Sequence, residues 1–181
     1  FGVIGTFTPF AELNSILEKV RDNGKFSSFA DIVVTSFAYH FTQKMHDDYP
    51  KAASLMSKGH AYDLKSNVFD RLSMIFYDEK PNDGHEYIRI FGWDGNNRTL
   101  KYIRKEYINK VSNLDKYKLL ISKADGASGH IGKPIPARII GKAEIVDPWV
   151  GSTETFLGIG SFETRDEAEN CLKYIKTKFA R

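Results

Sequence analysis

The chain has 181 residues and a formal net charge of +3, with 41% hydrophobic and 27% charged residues, a balance close to the globular norm and a length that buries roughly two-thirds of the unfolded surface. No stretch stays apolar for the roughly 18 residues that a membrane span needs, and the single cysteine, Cys171, excludes an internal disulfide and a cysteine-built zinc site. These limits predict one soluble domain over residues 1–181, cytoplasmic and without a membrane partner.

Thr8 and Pro9 open a predicted helix in which Phe10, Leu13, Ile16, Leu17 and Val20 recur on one face until Asn23-Gly24. Residues 30–37, ADIVVTSF, read as a buried strand, and residues 40–58 as helical with a break at Pro50. From Val68 a three-stranded meander is expected: VFDRLSMIFYDE, a PNDG turn, HEYIRIFGW, a DGNN turn, then RTLKYIRKEYI. YKLLISKA (117–124), ARIIGKAEIV (137–146) and TETFLGIGSF (153–162) follow as further strands. Thr164 and Glu167 form a capping-box pattern ahead of an apolar stripe of Ala168, Cys171, Leu172, Ile175 and Phe179. The fold class is therefore α+β, an antiparallel or mixed sheet flanked by an N-terminal and a C-terminal helix. FGVIGTF lacks both an initiator methionine and a signal-peptide pattern, and Arg181 interrupts a helical pattern, so the chain reads as a piece of a larger, non-secreted protein.

The net charge conceals a division. Residues 1–97 hold ten Lys/Arg against thirteen Asp/Glu, residues 98–142 eleven against three, and residues 143–181 five against seven. The middle block, near +8, is the footprint expected for a polyanion partner. Within it ISKADGASGHIGKPIPARIIGK (121–142) threads glycines through cations, and GASGHIG followed by Lys133-Pro134 lacks the Lys-Ser/Thr ending of a nucleotide P-loop. Glycine lets backbone N–H groups approach phosphates closely. Lys101, Arg104, Lys105, Lys118, Lys123, Lys133, Arg138 and Lys142 are the candidates for phosphate contact, and they serve it only if they converge on one groove-shaped surface. Trp93, Asn96, Asn97 and Arg98 cluster at a hairpin tip, where Asn and Arg suit base edges and Trp suits stacking.

Two short matches evoke methyl transfer: Phe156-Leu157-Gly158-Ile159-Gly160 fits F-x-G-x-G, and Asp147-Pro148-Trp149 echoes D-P-P-[YFW]. Cofactor binding needs the glycine turn at the start of a doubly wound sheet, and barely 20 residues follow Gly160, so both read as strand and turn. Asp78-Glu79-Lys80 with Asp63 or Asp70 forms a loose metal-nuclease pattern, although DEKPNDG is also turn chemistry. The histidines His40, His46, His60, His85 and His130 show no metal-ligand spacing. No catalytic residue, metal or cofactor is assigned within the chain.

NLDKYKLLISKA, TETF with its apolar continuation, and EAENCLKYIKTKFAR together resemble the C-terminal region of adenine-specific DNA methyltransferases of bacterial restriction-modification systems, including those fused to a nuclease. The resemblance covers residues 87–181 and, more loosely, FGVIGTF. It implies a target-recognition module whose partners are double-stranded DNA and the catalytic methyltransferase domain of the same parent chain, with S-adenosylmethionine held by that domain. The family's cofactor glycines and catalytic tetrapeptide have no counterpart here, so methyl transfer passes to no residue of this chain. A small metal-dependent nuclease and a subunit-docking domain remain the alternatives.

Overall fold

The computed structural model describes residues 9–22, 28–124 and 141–177. The chain divides into two compact units, residues 1–32 and 33–181. In the first, helix α1 (Ala11–Asp22) occupies the predicted span and a 3-10 turn follows at Phe29–Ile32. Thr8 and Asn23-Gly24, the expected ends of that helix, lie outside the described residues, as does Phe179.

The second unit is an α+β fold with two sheets. Its elements are β1 (Val33–Val34), α2 (Gln43–Asp48), α3 (Ala52–Leu55), α4 (Val68–Arg71), β2 (Tyr87–Asp94), β3 (Asn97–Arg104), β4 (Tyr117–Ser122), β5 (Glu144–Val146), β6 (Val150–Ser152), β7 (Phe156–Phe162) and α5 (Arg165–Ile175). One sheet runs β1-β7-β4-β5, all antiparallel, and the other β3-β2-β6. In the second sheet β2 pairs antiparallel with β3 and parallel with β6. Among the described residues no helix is long and apolar enough to cross a membrane.

The expected three-stranded meander is corrected at its first strand. Residues 68–75 form α4 and a 3-10 turn, and only Tyr77 bridges to Tyr102. Val68, Phe69, Leu72 and Ile75 are all buried, and a spacing of i, i+1, i+4 and i+7 gathers them on one helical face, which a strand would split between two. The place left open beside β2 is taken by β6. The strand expected at 30–37 shrinks to the two residues of β1, and the one at 137–146 is described only as β5. Pro50 divides α2 from α3, as its missing N–H requires.

The β2–β3 hairpin is buried on both faces by separate clusters. Ile90, Ile88 and the latter's partner Ile103 enter the larger core with Phe69, Leu72, Tyr107 and Leu114. Phe91 faces the other way and joins Leu120, Val146, Val150 and Phe156, so this smaller cluster links the two sheets. Helix α5 lies on the four-stranded sheet through Ala168, Cys171 and Ile175. Its first turn carries the full capping box: Thr164 accepts from the Glu167 N–H, and Glu167 returns a carboxylate to the Thr164 N–H. The stretch FLGIG is β7, where Gly158 pairs with Val34 and Leu120 and Gly160 has φ +84°, a conformation that side chains disfavour.

Candidate nucleic-acid interface

The β2–β3 ribbon ends in a two-residue turn between Asp94 and Asn97, with Gly95 at φ +56°, the positive φ that a tight hairpin turn demands. Asp94, Gly95, Asn96 and Asn97 are all exposed. Immediately behind them Trp93 and Arg98 form a cross-strand pair, with the guanidinium carbon 5.5 Å from the indole centroid. Trp93 is half-buried against the smaller core cluster, so packing takes up part of the surface expected to stack on a base.

Arg98 ties this tip to a distant part of the chain. Its Nη1 donates to the Lys142 carbonyl (3.1 Å) and its Nη2 to the Ser122 hydroxyl (2.8 Å), while Glu144 lies 3.6 Å away. Ser122 and Lys142 stand on either side of the glycine-rich basic segment, so one guanidinium holds both of its ends beside the hairpin. Lys142 is 74% exposed and pairs with Glu144 at 2.8 Å. Lys123 is exposed, with its ammonium 4.5 Å from the Phe37 ring centroid. Lys133 and Arg138 lie outside the described residues.

The other candidate cations are distributed differently. Lys118, expected to meet phosphate, is fully buried and its Nζ donates to the Lys116 carbonyl at 3.0 Å. Burial pushes its ammonium down to about 8, and a fully enclosed side chain has no surface to offer DNA. Lys101 sits on the larger-core face of β3, 13% exposed, clamped between Asp78 (2.7 Å) and Asp94 (2.9 Å). Its hydrogen bonds to Asp78 and Asp94 raise its pKa. Arg104, three residues on and therefore on the opposite strand face, pairs with Asp83 at 3.3 Å and reaches the Tyr107 hydroxyl. Lys105 pairs with Glu86 at 2.9 Å. Among the described cations of the block near +8, Lys101, Arg104, Lys105 and Lys116 are paired with acids from elsewhere in the chain and occupy separate neighbourhoods. Among the described residues, Arg98 and Lys142 are gathered with the tip residues, and Lys123 adjoins Ser122, which Arg98 holds.

Two carboxylates of the nuclease pattern have basic partners. Asp78 is engaged by Lys101, whereas Asp63 accepts from His60 (2.7 Å) and lies 3.5 Å from His40 and 3.7 Å from Lys65. Burial raises the Asp63 pKa, but the His60 hydrogen bond and the Lys65, His60 and His40 charges outweigh it and hold the carboxyl below its ordinary value. Among the described residues no group of three or more His, Cys, Asp or Glu is arranged to hold a metal ion. Asp147 of the D-P-W match lies 3.3 Å from both Arg89 and Arg165.

Sequence reasoning missed the other end of the ribbon. Trp149 has φ +63°, the one positive φ of a non-glycine residue among the described residues, and for a bulky side chain this costs roughly 1–3 kcal/mol. Its N–H donates to the Leu114 carbonyl (2.7 Å) and its carbonyl accepts from the Arg89 N–H (3.0 Å), so backbone bonds on both sides enforce the conformation. The indole stays 43% exposed, with the Lys105 ammonium 4.2 Å from its centroid. Beneath it lies a cavity of about 330 Å³ lined by Lys105, Ile108, Lys110, Val111, Leu114, Asp115 and Trp149. The available signal was Asp147-Pro148-Trp149 itself, noticed for its likeness to a catalytic motif and not as a turn that exposes an aromatic ring. In comparisons with known proteins, no family model, no curated protein and no solved structure matches this chain.

Proposed function

We propose that this chain is a target-recognition module that binds double-stranded DNA sequence-dependently for an adenine-N6 methyltransferase domain elsewhere in the same parent chain. That catalytic domain would hold S-adenosylmethionine and receive the adenine flipped from the duplex. The observation that supports the reading is Arg98: its hydrogen bonds to Lys142 and Ser122 set the ends of the basic glycine-rich segment against an exposed Asn96-Asn97 tip. A two-stranded ribbon fits the major groove, where asparagine reads adenine through N6 and N7. Lys142 and Lys123, both exposed, supply phosphate contacts beside it.

Selection of bound sequences from a randomised duplex pool at low salt tests this. An Asn96→Ala/Asn97→Ala variant is expected to bind the pool as well as the parent does but to lose the enrichment, since each good base contact contributes about 1–3 kcal/mol of discrimination. Lys142→Ala is expected to weaken all duplexes alike and to lower the salt slope by about 0.9. Absence of duplex binding at low salt, with tight binding to a partner subunit, would replace this reading with the docking one.

A further inference from the structure

At the end of the β2–β3 ribbon remote from the Asn96-Asn97 tip, Trp149 lies next to Arg89 and Lys105. Gly95 lies six residue steps along the chain from Arg89, about 20 Å in extended strand, so this locus is distinct from the proposed base-reading tip. Three features converge there. Backbone bonds to Leu114 and Arg89 hold Trp149 left-handed and leave the residue partly exposed. The floor of the cavity is apolar, formed by Ile108, Val111 and Leu114. Three charged side chains border it: Asp115; Lys105, shared between Glu86 and the indole face; and Lys110, which is exposed and has no ion-pair partner among the described residues.

We propose that this cavity binds an unpaired nucleobase carrying a phosphate, with the base against the Trp149 indole and the phosphate on Lys110. An apolar wall with a few polar groups is the usual make-up of a small-ligand site, and an indole and an unpaired ammonium lining one cavity match a ligand that is planar on one side and anionic on the other. The volume of about 330 Å³ accommodates one nucleotide but not a base pair with its backbone. Bases stacked within a duplex cannot enter, so the ligand is either a free nucleotide or an extrahelical base in DNA. Lys105, already neutralised by Glu86, lines the cavity without being needed as a second anion contact. The inference does not rest on duplex recognition at the hairpin tip.

The experiment is titration with deoxyadenosine monophosphate, with deoxyadenosine and with a duplex bearing one extrahelical adenine, followed by calorimetry and by tryptophan fluorescence. Saturable binding of the monophosphate with quenching is expected, lost in Trp149→Asn, a residue that tolerates left-handed backbone. Lys110→Ala should weaken the monophosphate about tenfold, as for loss of one charge-assisted contact, and leave the nucleoside unchanged. Tighter binding of the extrahelical duplex than of a fully paired one, in a variant lacking Asn96 and Asn97, assigns DNA as the source; binding of the monophosphate alone assigns a free nucleotide. No saturable response to any of the three, an undiminished response in Trp149→Asn, or binding of an acidic peptide in their place would overturn the proposal. Equal melting temperatures of the variants and the parent exclude loss of fold as the cause.

Discussion

Lys118→Met is the most decisive perturbation of the fold and of the charge assignment together. The Lys118 side chain is fully enclosed and its ammonium makes one hydrogen bond, to the Lys116 carbonyl. Burial lowers its pKa from 10.5 to about 8, a gap equivalent to about 3 kcal/mol of unfavourable charge burial at neutral pH. Losing the bond to Lys116 costs about 1 kcal/mol, so methionine, which fills a similar shape, should stabilise the protein by about 2 kcal/mol at pH 7. The sign with pH follows from linkage. Below pH 8 the lysine is charged in both folded and unfolded states and the whole penalty is present. Between pH 8 and 10.5 the folded state loses its proton first, so the unfolded state binds more protons and the parent gains stability as pH rises. The advantage of methionine should therefore shrink over that window and disappear above it. Urea unfolding of both proteins at pH 7, 9 and 10.5 measures this. Equal stabilities at pH 7, or an advantage that is constant with pH, would refute the burial argument; a loss of duplex affinity in the folded variant would return Lys118 to the DNA contacts.

Two further substitutions probe the frame that carries the ribbon. Asn113 is buried, accepts from the Tyr39 hydroxyl at 2.8 Å and donates toward the Gly160 carbonyl at 3.5 Å. Asn113→Ala should cost about 2 kcal/mol in denaturant unfolding because it strands the buried phenol, and Tyr39→Phe in the same chain should recover part of that loss. Gly160→Ala would place a Cβ within the Phe162 ring at φ +84°. The backbone alone accounts for about 1–2 kcal/mol, and Phe162→Ala should relieve only the remainder; a neutral Gly160→Ala would show that β7 does not need a glycine there.

The elements most readable from the sequence were those whose signals are local. Thr164 and Glu167 announce a helix start within four residues, and the Asp94-Gly95-Asn96-Asn97 turn dictates a hairpin, because capping and positive φ depend on near neighbours alone. Where an apolar run left two periods open, tertiary context decided. Val68 to Phe76 is rich enough in β-formers to suggest a strand, but a single helical face lets Val68, Phe69, Leu72 and Ile75 enter one core together. The parallel pairing of β6 with β2 joins residues as far apart as Arg89 and Val150, beyond any local signal.

The candidate site divides along the same line. The Asn-Asn tip and the concentration of lysine and arginine between residues 98 and 142 follow from sequence alone, and so does an α+β class with an amphipathic C-terminal helix. Only the folded chain settles which cations are free. It buries Lys118, commits Lys101 to two aspartates, and turns Arg98 into a clip between Ser122 and Lys142. It also exposes Trp149 over a cavity bordered by Lys110. The physical reason is that composition counts charges, whereas their availability depends on acids, carbonyls and walls supplied by segments far away in the chain.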